Sequence, residues 1–213
     1  MARIPTFSNL GFRIGAWFRD RAVRQELLTA PRVRLADLPE DMLGRVVGTV
    51  HAAGPVLEAP LTKRLCVYYA FELQLWRGSA GPVALRDEQQ AVPFTLIDRG
   101  DEALVDTQSA KISSDFDRGV RIAWKGLDYK DHRLLETWKV RPPERGTAYY
   151  FREAAIELDD TICIYGAGTR EFDTSLGGDG PGVAYRDGAK TRLHLTGSER
   201  FPLVISDDPR VLK

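Results

Sequence analysis

The sequence predicts a mainly β domain, a barrel-like fold of OB-like form or a sandwich of many short antiparallel strands, carrying an N-terminal amphipathic helix. Three observations lead there. Apolar residues occupy every odd position from Leu65 to Leu75, the period of a pleated strand. Many further segments are short, rich in β-branched or aromatic residues, and bounded by turn formers. Helical spacing of 3.6 residues is concentrated before Gly44, where the pattern changes to period 2.

The helix is expected over residues 8–28, with Leu10, Ile14, Trp17 and Phe18 at i, i+4, i+7 and i+8. Arg13, Arg19, Arg21 and Arg24 lie mostly outside that stripe, while Gly11 and Gly15 work against an unbroken helix. Pro31 closes the segment, and residues 31–39 read as a linker. The chain therefore divides into a basic amphipathic helix with its linker, 1–39, and a β domain, 40–213.

In the β domain the clearest strand is 65–76, where Glu72 and Gln74 fall opposite the apolar odd positions, as in a half-buried strand. Its even positions begin with Cys66 and Tyr68 and end with Trp76, so its first part is expected to be covered on both sides. Other strands are expected at 45–51, 92–98, 102–106, 120–124, 147–152, 161–165, 190–196 and 203–206. Arg99, Gly100 and Asp101 join two of them at hairpin distance. Residues 125–146 fit either a helix around 131–139 or a strand at 134–140, and the run of glycines at 177–182 is a loop.

Thirty basic and thirty acidic side chains cancel, and a pI near 6.8 offers a polyanion no general attraction, which disfavours nucleic acid as a partner. Charge is uneven, however: residues 1–34 hold seven Arg against Asp20 and Glu26. Cys66 and Cys163, each in an apolar run, read as buried free thiols of a reduced, cytoplasmic compartment. No signal peptide and no apolar run long enough to span a bilayer is evident.

A longer pattern runs through the β domain. It comprises Val46-Val47-Gly48-Thr49-Val50, then 57–62 from Leu57 to Thr62, then Cys66-Val67-Tyr68-Tyr69 and Trp76. Residues 92–98 running into 102–106, and 153–160 running into 162–166, continue it. Over 44–206 the chain resembles the GIDE domain family, found in a mitochondrial ubiquitin ligase and in prokaryotic proteins where the domain lies beside membrane helices. That resemblance implies a membrane-associated role. It does not carry ubiquitin transfer, which in the eukaryotic relative looks like the property of a separate zinc-binding RING. Two cysteines almost a hundred residues apart cannot build one.

Candidate sites are sparse. His51, His132 and His194 are dispersed without ligand spacing, and His194 alternates with Lys190 and Arg192 on an apparent solvent face, so no metal is expected. Asp98, Asp101 and Asp106 gather at a turn, where Asp is favoured for capping its own backbone; Asp159-Asp160 and Asp207-Asp208 read the same way. Gly166-Ala167-Gly168 lacks the third glycine of a dinucleotide fingerprint, and the 177–182 run lacks the Lys-Ser or Lys-Thr of a phosphate loop. No catalytic residue and no cofactor is assigned. Phe7, Phe12, Arg13, Trp17, Phe18 and Arg21 are the expected membrane or partner contacts, with apolar rings in the interface and arginines on anionic head groups. Packing of the same stripe on the β domain is the alternative. Arg64, Tyr68 and Trp76 form the expected ligand face.

The function expected from the sequence is a non-enzymatic binding or adaptor module at a cytoplasmic membrane face or within a protein assembly, with peripheral contact to anionic membrane. Two alternatives stay open: an OB-like barrel for nucleic acid, using Arg64, Tyr68, Trp76 and Arg77, or an enzyme whose site is assembled from distant strands.

Overall fold

The computed structural model describes residues 25, 27–77, 81–123, 126–172, 191–198 and 200–213. Phe7, Phe12, Arg13, Trp17, Phe18, Arg21 and the glycine run at 177–182 lie outside the described residues. The protein is mainly β, with 52% of its residues in strands against 10% in helix, arranged as curled sheets that include a half-barrel.

Among the described residues thirteen strands follow one another as β1 (Gly44–Ala52), β2 (Leu57–Glu58), β3 (Leu65–Arg77), β4 (Pro82–Ala91), β5 (Phe94–Asp98), β6 (Asp101–Val105), β7 (Ala110–Ser113), β8 (Arg118–Ala123), β9 (Thr147–Glu157), β10 (Thr161–Gly166), β11 (Gly168–Phe172), β12 (Thr191–Leu195) and β13 (Leu203–Ser206). Helix α1 (Tyr129–Thr137) lies between β8 and β9, which resolves the ambiguous 125–146 stretch in favour of a helix. Strands β2, β4, β7 and β11 were not expected. Their sequences are short or, in β4, too polar to show a buried face.

Eight strands form one sheet in the order β11-β12-β6-β5-β1-β10-β13-β7. The second sheet has the order β2-β3-β9-β8, with β4 paired to β3. Most pairings are antiparallel as expected, but β12 with β6 and β13 with β7 are parallel. Those partners are distant in sequence, so no hairpin imposes a direction on them. The β5–β6 hairpin turns on Arg99 and Gly100, with φ of 55° and 97°, between paired Asp98 and Asp101. Positive φ at both central residues matches the right-handed twist of the flanking strands.

The main core lies between the inner face of the eight-stranded sheet and one end of the other. Val46, Val50, Phe94, Leu96, Ile162, Ile164, Leu203 and Ile205 meet Val67, Tyr68, Ala70, Ala154 and Ile156 there. On the opposite face of the second sheet, Tyr69, Phe71, Leu73, Tyr149 and Phe151 are covered by Leu135, with Leu134, Trp138 and Val140 beside it. Phe71, Phe94 and Phe151 are all but fully buried, each contributing about 2 kcal/mol or more from apolar area removed from water.

Two expectations need correction. Residues 31–39 are not a loose linker: a 3-10 helix, Leu35–Asp37, drives Leu35 and Leu38 into the main core, and the Leu35 amide donates to Asp98 Oδ2 at 3.0 Å. Leu27, fully buried, packs with Val47, Cys163, Val204 and Val211 on the outer face of the large sheet. The packed body therefore begins before residue 40. Strand β3, in turn, does not alternate simply. A register shift between Cys66 and Tyr68 leaves Val67 unpaired with β9, so Val67 and Tyr68 both reach the main core while Tyr69, Phe71 and Leu73 face α1. Glu72 and Gln74, expected on an open face, are 7% and 3% exposed.

Candidate functional site

A buried carboxylate organises the loop that leads into β3. Strand β9 places Glu153, at 0% exposure, beneath residues 61–64. Its carboxylate accepts from the amides of Leu61 at 2.6 Å and Thr62 at 3.3 Å, and from the Thr62 hydroxyl. Arg64 donates to Glu153 at 3.4 Å, to Asp117 at 2.7 and 3.0 Å, and to Glu157 at 2.7 Å. Hydrogen bonding to Asp117, aided by Glu157, holds the guanidinium proton above its ordinary affinity despite the cost of burial. A buried acid is tolerable here because every oxygen has donors and a cation lies beside it. The arrangement is a clamp that fixes the approach to β3.

The three residues of the expected ligand face are thus not brought together. Arg64 is engaged by three carboxylates. Tyr68 is 5% exposed in the main core. Trp76 is 40% exposed at the far end of β3, about 26 Å along the strand from Tyr68 at about 3.3 Å per residue.

Sequence reasoning missed a second polar group. Glu72 on β3 and Arg152 on β9 are direct cross-strand partners and form an ion pair, which Gln74 extends by donating to Glu72 at 2.6 Å. The Phe116 ring stacks on the Arg152 guanidinium at 4.4 Å. The available signal for Glu153 was parity: it shares the side of β9 that carries Tyr149, Phe151 and Ala155, where an acid must be paired.

On the α1 side of β3 and β4, the Tyr69 hydroxyl donates to Glu88 at 2.8 Å and Arg86 donates to the same carboxylate at 2.5 Å. Burial pushes Glu88 upward, but the Tyr69 and Arg86 bonds outweigh it, so its carboxyl sits below the usual value. Burial, with Glu88 beside it, raises the Tyr69 phenol.

Among the described residues the second sheet ends in two open edges, β4 paired only to β3 and β8 paired only to β9. Val83, Leu85 and Val120 on these edges are 46%, 44% and 43% exposed, a concentration of apolar area at unpaired backbone. Arg118 and Arg121 of β8 have no ion-pair partner among the described residues.

The remaining candidates have local explanations. Asp98 caps Leu35, Asp106 accepts from the Gln108 amide at 2.9 Å, and Asp160 accepts from the Glu157 amide at 2.7 Å. Asp207 accepts from the Ser114 hydroxyl at 2.6 Å, and Asp208 accepts from both the amide and the side chain of Arg210. His51 lies on β1, His132 on α1, and His194 on β12, 3.5 Å from Glu171. Among the described residues no cluster of His, Cys, Asp and Glu forms a metal site, and no helix is long and apolar enough to cross a membrane. Gly168 sits where a Cβ would come within 2.8 Å of the His194 carbonyl, so it serves strand packing. Both cysteines are free and buried, and burial pushes each thiol up to about 11. Such thiols are poor nucleophiles.

Comparison of the chain with protein-family models, curated proteins and solved structures yields no match.

Proposed function

We propose that this chain is a non-enzymatic binding module that serves as an adaptor within a larger protein assembly at a cytoplasmic membrane face, as a GIDE-type domain would. The observation that carries this is the pair of edges on the second sheet that no strand covers among the described residues, where exposed Val83, Leu85 and Val120 lie. An open edge of this kind binds by adding a strand, with main-chain bonds supplying affinity and alternate side chains supplying selectivity. The charges inside the fold are turned on one another, Arg64 on three acids and Arg152 on Glu72, which favours a structural use for them. The membrane half of the proposal is motivated by the arginine-rich sequence of residues 1–34.

The test is in-cell crosslinking of the full chain in its own host, followed by sizing of the product, beside flotation of the purified chain with anionic liposomes. Expected are a complex larger than 23.8 kDa containing other polypeptides, and flotation that deletion of residues 1–24, which leaves the buried Leu27 in place, abolishes. Recovery of the chain free of other polypeptides overturns the adaptor role. Failure to float overturns the membrane role.

A further inference from the structure

The two open edges of the second sheet match each other. Every pairing among β4, β3, β9 and β8 is antiparallel, so chain direction alternates across them and the two edges run in opposite senses. A copy displaced sideways by one sheet width brings its β4 antiparallel to β8 without any reversal of the sheet.

Register can be followed across the four strands. Arg118 shares a row with Glu153, Phe71 and Glu88. Gly119 shares one with Arg152, Glu72 and Asp87, and Ile122 one with Tyr149, Leu75 and Val83. Residues of one row project from one face and interact as cross-strand pairs. In the sideways copy, Arg118 therefore meets Glu88 and Arg121 lies diagonal to Asp87, while Ile122, whose side chain is already buried under α1, shares only a backbone row with Val83. Val120 meets the Arg86 row, next to Leu85 at the register shift in β4.

Charge agrees with this register. Strand β8 holds Arg118 and Arg121 and no acid, whereas β4 holds Asp87 and Glu88 against Arg86. Joining β8 to a second β8 would gather four arginines with no acid between the strands. Strand β8 has no proline and no register shift over its six residues, so its backbone is regular enough to pair.

We propose that the partner of these edges is a second copy of this chain, with β4 of one copy joined to β8 of the next in a continuous sheet. The proposal rests on the binding-module reading and adds further copies of this chain to the partners in that assembly. Because the two surfaces differ, the contact is head to tail and propagates beyond two copies until a ring closes or a filament grows.

Sedimentation velocity of the purified full chain across a wide concentration range tests this, together with hydrogen exchange at low and high concentration. Expected are species larger than a dimer at high concentration and slowed exchange confined to 82–91 and 118–123. Arg118→Glu, and independently Arg121→Glu, should weaken association about tenfold, since each replaces attraction by repulsion at a cross-strand or diagonal pair. Adding Glu88→Arg to Arg118→Glu should restore it, with thermal midpoints showing that each variant is folded. A single species of 23.8 kDa at every concentration, association that both arginine variants leave unchanged, or protection elsewhere overturns the proposal. A chain that stays monomeric when pure yet enters a mixed complex in cells overturns this inference alone and leaves the adaptor role standing.

Discussion

Replacing Glu153 by Ala removes the acceptor of two backbone amides, one hydroxyl and one guanidinium from a site with no access to water. Hydrogen bonds to a charged group contribute about 1.5–3 kcal/mol each, and donors left unpaired in the interior forfeit their solvation as well. Arg64 keeps Asp117 and Glu157, so the loss falls mainly on the amides of Leu61 and Thr62. The expected cost is about 4 kcal/mol, near the range found when one partner of a buried pair is removed. For a chain of this length that lowers Tm by about 10 °C. Glu153→Gln keeps the shape and one acceptor oxygen, and should cost about half as much, about 2 kcal/mol. Urea unfolding at neutral pH measures both, and hydrogen exchange should show faster exchange at Leu61 and Thr62 in the Ala variant. If Glu153→Ala is as stable as the parent or more so, the carboxylate is not a structural clamp. It would then be an acid retained at a cost to the fold, as functional groups are.

Three further outcomes follow from the geometry. Burial raises the Asp207 carboxyl, with Asp115 and Asp160 adding to it, so the native state holds that proton more tightly than the unfolded chain. Its contribution is therefore fullest below the ordinary carboxyl value and is lost as pH rises through the raised native one; Asp207→Asn should flatten this decline in urea midpoints, and equal slopes would refute it. Trp138 stacks on Phe71 at 4.3 Å and Phe151 at 5.4 Å between centroids. Trp138→Ala should cost about 3 kcal/mol and erase much of the near-ultraviolet dichroism; a loss well under about 1 kcal/mol would show that α1 is not held by that ring. Both thiols should resist an aromatic disulfide reagent at mildly alkaline pH in the folded protein and react fully on unfolding, because each is buried with its pKa pushed up to about 11. Prompt reaction of either in the native state contradicts the burial.

Chain periodicity determined the class of this protein and the place of most of its strands. Alternation at 65–75 and short β-branched runs such as 161–165 are set by neighbours two residues apart, as is the Arg99-Gly100 turn, so they can be read without knowing the partners. Burial of Cys66 and Cys163 was legible for the same reason, since each lies in an apolar run. Cover on both sides at the start of β3 was legible too, but tertiary structure decided that it extends to Glu72 and Gln74. Val67 and Tyr68 share a core because β9 pairs with a register shift, and Glu72 finds Arg152 some eighty residues away. Arg64 looks like a free cation in sequence but is surrounded by Asp117, Glu153 and Glu157 once β9 lies beside β3. The open edges β4 and β8 likewise emerge only when strand order is known. Side-chain period is a property of one strand, whereas burial, ion pairing and edge exposure belong to pairs of strands that distant parts of the chain bring together.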